Sequence, residues 1–294
     1  MNKNPGRPRP YVGVSGVVMQ HEWHPGGESV RLPQQIFVEA YAQKAGLYDA
    51  GRVLALGVKV THLTQFQDKD SKHGRDWYPV GESEFAEALG PKEKHPNTLG
   101  VAQVYLSQRH IENSAYRDEF MDRVVRRGHA WLQAVQFDML PWHDRGETVD
   151  FVENVRDTMP DTKIILACHG RAMRELGLKK AVRRLGSFAP YIDYVLFDAS
   201  HGKGIPMNVE QMDMYLEHTH ESSALTSVGF AVAGGLDMER VKDDMPRLLA
   251  KYPDLSWDAE AQLHPLNNIG RRPLQMDRVK QYLEASVECL RAVR

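Results

Sequence analysis

Ser227-Val228-Gly229-Phe230-Ala231-Val232-Ala233-Gly234-Gly235-Leu236 is an apolar run that breaks into a glycine pair, and a helical pattern over 238–251 follows at once. A run this short and this continuous reads as a strand buried on both faces, as in a parallel sheet. The chain then repeats the move. Residues 255–259 read as a strand that gives way to Asp258-Ala259-Glu260-Ala261-Gln262, and a last helix is expected over 276–293. Two successive units of this kind predict the seventh and eighth strand-to-loop junctions of a barrel, where backbone N–H groups and a helix N-terminus commonly hold an anion.

Six more runs of the same character lie upstream, over 11–18, 53–60, 101–106, 132–137, 163–167 and 194–198. Helical patterns separate them over 33–45, 115–127, 148–157, 173–185 and 208–219. Within 208–219, Val209, Met212 and Leu216 share one face, and within the last helix Val279, Leu283, Val287 and Leu290 do the same. From the third strand onward the unit recurs about every 30 residues, the length of a βαβ step. Eight alternations predict an α/β fold of the TIM (β/α)8 type. An open doubly wound sheet would carry GxGxxG after its first strand, whereas that junction reads Val14-Ser15-Gly16-Val17-Val18.

No linker or low-complexity stretch divides the 294 residues, so a single barrel domain is expected over 11–294 behind a disordered tail over 1–10. The polar segment 61–98 reads as a long active-site loop after the second strand, with one short helix over 82–89.

With 42% hydrophobic and 26% charged residues and a net charge of −2, the chain has no electrostatic footprint for nucleic acid or a membrane surface. MNKNPGRPRP lacks the apolar segment of a signal peptide, and no apolar run reaches the roughly 18 residues of a membrane span, so a cytoplasmic protein is expected. Cys168 and Cys289 stand in no metal-type or disulfide-type spacing. A small molecule is the expected partner, and no organic cofactor is implied.

Strand ends supply the candidate residues. Asp198 closes the sixth strand with an apolar wall behind it, which suits a general acid. Asp138 holds the equivalent place after the fourth strand. His169 and His201 stand within three residues of strand ends, and many of the thirteen histidines follow predicted strands: His21, His24, His62, His110, His143 and His264 besides these two. Such a ring could supply acid–base groups, anion contacts or metal ligands. A metal-dependent hydrolase using His21, His24, His169, His201 and Asp258 is therefore one alternative; a barrel that binds a ligand without catalysis is another. Gly202-Lys203-Gly204 reads either as a plain turn or as a loop in which Lys203 reaches an anion. Trp257 and Met212 read as core, and Arg123, Arg126 and Arg127 as a solvated helix face.

The second half, over about 100–290, resembles phosphoribosylanthranilate isomerases, a family of ribulose-phosphate-binding barrels. Ala134-Val135-Gln136-Phe137-Asp138 is similar to the family's fourth-strand motif, and Val195-Leu196-Phe197-Asp198-Ala199 to its sixth. Ala233-Gly234-Gly235-Leu236 resembles the seventh junction. Trp257-Asp258-Ala259-Glu260 with Gly270-Arg271-Arg272-Pro273 resembles the eighth. The resemblance implies an isomerase acting on a phosphorylated, sugar-linked metabolite by aldose–ketose isomerisation or ring opening. Asp198 would be the acid, Asp138 or His169 the base. Ser15, His201, Lys203, Gly234, Gly235, Asp258, Glu260 and Ala261 would bind substrate and phosphate. Two positions depart from the pattern: Gly13-Val14-Ser15-Gly16 carries serine where the family has its catalytic cysteine, and Glu260-Ala261-Gln262 replaces a serine pair. For a phosphate to bind there, Glu260 is expected to turn outward to Arg271 or Arg272.

Overall fold

The computed structural model describes residues 6–23, 29–61, 64, 78–79, 81–90, 95–106, 113–128, 132–142, 146–198, 200, 204–266 and 273–293. Its first strand, β1 (Tyr11–Ser15), leads into an antiparallel hairpin of β2 (Met19–Trp23) and β3 (Ser29–Pro33). Then come α1 (Gln34–Ala45), β4 (Val53–Val60), α2 (Gly81–Leu89), β5 (Thr98–Tyr105), α3 (Ser114–Gly128), β6 (Ala134–Asp138), α4 (Glu147–Thr158) and β7 (Lys163–His169). Two helices, α5 (Gly170–Leu176) and α6 (Leu178–Phe188), precede β8 (Tyr194–Asp198). The chain continues through α7 (Val209–His220), β9 (Gly229–Ala233), α8 (Met238–Lys251), β10 (Ser256–Ala259) and α9 (Met276–Ala292). Eight parallel strands, β1 and β4 to β10, form a closed barrel that is sealed where β10 pairs with β1. The expected TIM barrel is the observed fold.

Two local features differ from expectation. Between β1 and α1, where the sequence pattern gives no element, Met19–Trp23 pairs with Ser29–Pro33 in an antiparallel hairpin. The helix expected over 173–185 is two helices, because Gly177 at φ 69° adopts a conformation open to glycine and ends the first. Among the described residues, no helix is long and apolar enough to cross a membrane.

Strand periodicity sorts the core into two layers. Val12, Val14, Leu54, Leu56 and Val58 point outward and pack on helix residues such as Val241, Val279 and Leu283. Tyr11, Val53, Ala55, Val101, Ala134, Ile165, Tyr194, Leu196 and Ala231 point inward and fill the barrel with an apolar plug.

Residues 7–10 lie across the base of the barrel. Tyr194 donates its hydroxyl to Arg9 O at 2.6 Å, Val53 N–H donates to Pro10 O at 3.0 Å, and Arg9 donates to Asn97 Oδ1 at 2.8 Å. Arg7 donates to Thr226 O at 3.2 Å and lies 5.2 Å from the Phe230 ring centroid. Two backbone carbonyls of this strap therefore cap the strand ends at the floor. Tyr194→Phe removes one of those bonds and should cost about 1 kcal/mol in urea unfolding. An unchanged midpoint would show that the strap contributes nothing at that contact.

Candidate active site

The same inward positions, followed upward past the plug, turn polar. On β1 the series Tyr11, Gly13 ends at Ser15; on β4 Ala55, Gly57 ends at Lys59; on β5 Val101 gives way to Gln103 and Tyr105. On β6 Ala134 is succeeded by Gln136 and Asp138, on β8 Leu196 by Asp198, and on β10 Ser256 by Asp258, with Glu260 just beyond. Period-two alternation delivers all of these side chains to the carboxyl ends of the strands.

Asp138, His169, Asp198, Gly234, Gly235, Asp258, Glu260 and Ala261 line one cleft at that end, as expected from their places at strand termini. Tyr105, Gln136 and Ser200 join them, and none of these three is foreseen from the motifs. Ser15 shares the rim but is buried beneath it. His201, Lys203, His24, His62, His110, His143, Arg271 and Arg272, with the side chain of His21, lie outside the described residues.

The ring of imidazoles does not form among the described histidines. His169 lines the cleft at the end of β7. His264 is instead buried with Nε2 2.9 Å from Ser15 O, and His95 stacks on Tyr48 with centroids 3.7 Å apart. Among the described residues, no group of three or more His, Cys, Asp or Glu could hold a metal ion.

Glu260 does not turn outward. It lines the cleft and pairs with Lys59, whose ammonium also lies 5.4 and 5.9 Å from the ring centroids of Tyr78 and Tyr105. Burial pulls the Lys59 pKa down, and Glu260 pulls it back up. Lys59 lies within a strand, outside the strand-end positions that the sequence singles out. The signal was available, since a lysine within the otherwise apolar strand VLALGVKV needs a buried partner.

Asp258 is buried and accepts a hydrogen bond from Ser15 Oγ at 2.7 Å, and Ser15 Oγ accepts one from Gln103 Nε2 at 2.6 Å. Burial pushes the Asp258 pKa up to about 7; the Ser15 bond opposes this, Glu260 and Asp198 add to it, and Lys59 lowers it. Asp138 accepts from Gln136 Nε2 at 3.2 Å. Its pKa is pushed up to about 8, first by burial and then by Glu260, with the Gln136 bond and Lys59 opposing. Asp198 Oδ1 accepts from both N–H and Oγ of Ser200, at 2.8 and 2.7 Å.

Glycines make room for this arrangement. A Cβ on Gly13 would stand 2.3 Å from Asp258 Oδ1, so Gly13→Ala must displace the carboxylate and should cost about 1–3 kcal/mol. Unaltered stability and an unaltered Asp258 titration in that variant would disprove the contact. Gly235, at φ 59°, faces the 204–206 backbone, where a Cβ would meet Gly204 O at 2.8 Å. Gly234 O accepts from Met207 N–H at 3.2 Å. The first turn of α8 is already capped by Asp237, which accepts from Arg240 N–H at 2.9 Å. The glycine pair thus serves close packing of a neighbouring loop.

No protein-family model matches the chain, and no curated protein matches its sequence. Solved structures match its fold. The tryptophan synthase alpha subunit from Legionella pneumophila is 13% identical with a TM-score of 0.53, covering 96% of this chain and 93% of that one. Active domain 2 of a thermostable chitinase from Pyrococcus furiosus is 12% identical with a TM-score of 0.53, covering 99% and 98%. Identities this low show the barrel fold alone.

Proposed function

We propose that the chain is a general acid–base barrel enzyme that isomerises or ring-opens a small sugar-linked metabolite, which the cleft holds through hydroxyl or amino groups. The observation that carries this reading is the pair of carboxyls, Asp138 and Asp258, in one cleft, both with pKa values raised by burial into the neutral range. Near neutral pH each can hold or release a proton, and the shorter bond that Ser15 donates to Asp258, 2.7 Å against the 3.2 Å from Gln136 to Asp138, favours an ionised Asp258 as acceptor and Asp138 as donor. An aldose–ketose shift asks for that division: one group takes a proton from the carbon beside the carbonyl, and another delivers one to the carbonyl or ring oxygen.

The roles therefore move. Asp138 becomes the acid and Asp258 the base, while Asp198, braced by two bonds from Ser200, receives substrate hydroxyls beside His169. The resemblance to phosphoribosylanthranilate isomerases supports the reaction type through the barrel and its strand-end aspartates. A phosphoryl group has less support. Beside Gly235 it would meet Glu260 and Asp258, and Lys59 is already engaged. Both proton transfers are made by side chains, so the reading calls for no organic cofactor.

The test is incubation of the purified chain in deuterated water with free aldoses, amino sugars and the matching sugar phosphates, followed by NMR. Deuterium entering beside the carbonyl, with the ketose appearing, is the expected result for an unphosphorylated compound. Absence of exchange and conversion across the panel overturns the reading. Turnover confined to the phosphates overturns the recognition mode and leaves the acid–base chemistry standing.

A further inference from the structure

We propose that Gln103 and Ser15 are positioning residues. They form a one-way chain of hydrogen-bond donors that keeps Oδ2 of Asp258 occupied and leaves Oδ1 as the atom that takes a proton from substrate. The inference deepens the acid–base reading above and rests on it for the role of Asp258 as base.

Direction follows from the donor inventory. Gln103 Nε2 lies 2.6 Å from Ser15 Oγ, and an amide nitrogen only donates. The serine oxygen is thereby an acceptor, and its single proton points to Asp258 Oδ2 at 2.7 Å. With Asp258 ionised and the amide turned over, Oε1 would face a hydroxyl whose only proton is committed to the carboxylate, and two acceptors would oppose each other, so the chain as drawn is the one that suits the ionised base. Space is carved for this chain alone: a Cβ on Gly57 would lie 2.7 Å from both Gln103 Cδ and Ser15 Oγ, and one on Gly13 would strike Asp258 Oδ1.

The chain also carries a cost that a purely structural role does not explain. Gln103 is buried, and its Oε1 has no hydrogen-bond partner among the described residues. A methionine of similar length would fill the volume without an unsatisfied carbonyl. The glutamine is thus suited to what its N–H does.

The other groups that face Asp258 come from several elements. Tyr11 on β1, Lys59 on β4, Asp198 on β8, Glu260 after β10 and Tyr282 on α9 all interact with it electrostatically. Tyr282 donates its proton to Gly13 O at 3.0 Å, and His264 is engaged by Ser15 O, so neither replaces Ser15 as donor to the carboxylate.

The experiment labels aspartate Cγ with carbon-13 in the full chain and follows the Asp258 resonance by NMR from pH 4 to 10, with Asp258→Asn giving the assignment. A hydrogen bond donated to the ionised form lowers a carboxyl pKa, so Ser15→Ala should raise the Asp258 midpoint by about one unit or more. Gln103→Met should raise it by about half a unit, with a melting temperature equal to or above that of the parent chain. Should Ser15→Ala fail to fold, Gln103→Met carries the test. A midpoint unmoved in Gln103→Met, with stability lost, shows a packing role and overturns the proposal. If the midpoints move as expected but Asp258→Asn keeps full exchange activity, the donor chain stands and the acid–base reading is what fails.

Discussion

Lys59→Met is expected to destabilise the fold by about 3 kcal/mol at pH 8, because removing one partner of a buried pair strands the other. The Lys59 side chain is 3% exposed and that of Glu260 17%, so solvent screens little of the interaction. Without the ammonium, Glu260 stands in a cleft wall with Asp138, Asp198 and Asp258. Lys59 also holds the Asp138 and Asp258 pKa values down, so both rise further in the variant. A carboxyl whose folded pKa is raised contributes stability that is present below the unfolded value and lost as pH climbs through the folded one. The deficit should therefore be small at pH 5 and large at pH 8. The double variant Lys59→Met/Glu260→Gln should recover most of it. Urea unfolding at both pH values checks this, and an equal loss at pH 5 and pH 8 would refute the electrostatic account.

Asp138→Asn should lower turnover by about 10²–10⁴-fold, since the amide cannot deliver a proton. Stability should move the other way at alkaline pH. The Asp138 pKa is pushed up from its ordinary 3.8 to about 8 in the fold, first by burial, so its contribution to stability is lost as pH climbs over that interval. Asparagine is neutral throughout, and its carbonyl still accepts from Gln136 Nε2. The variant should consequently melt above wild type at pH 9 and match it more closely at pH 5. Full turnover in the variant removes Asp138 from the mechanism, and lower stability at pH 9 shows that burial does not raise the Asp138 pKa.

The barrel was legible because its signal is repeated. Eight apolar runs, each followed by a loop or helix, leave few closed architectures, and the strands lie within a few residues of where the pattern places them. Strand-end positions were legible for the same reason, so Asp138, His169, Asp198 and Asp258 share one cleft. Legibility ended at partners. Whether Glu260 faces outward or inward depends on Lys59, about two hundred residues away in sequence, and short-range patterning carries no trace of that pairing. Ser15 reads alone only as the serine that stands in place of the family's cysteine; its bonds to Gln103 and Asp258 come from strands far apart in sequence. The glycine pair at 234–235 suggests an anion cradle from motif, whereas its φ values and the nearby 204–207 backbone make it a packing device.

Closure of the barrel between β1 and β10 has a consequence for biosynthesis. Ser15 and Asp258 are 243 residues apart in sequence, and Tyr11 N–H reaches Ser256 Oγ across 245. A ribosome releases β1 long before β10 exists, so the nascent chain holds an unsealed sheet with open edges at β1 and β9. Such edges template unwanted pairing until the last strand arrives. The cleft is assembled at that same moment, because β10 brings both the sealing strand and the carboxylate. Chains halted before residue 256 should then have neither a complete cleft nor a protected sheet, and they would be natural clients for chaperones or proteases.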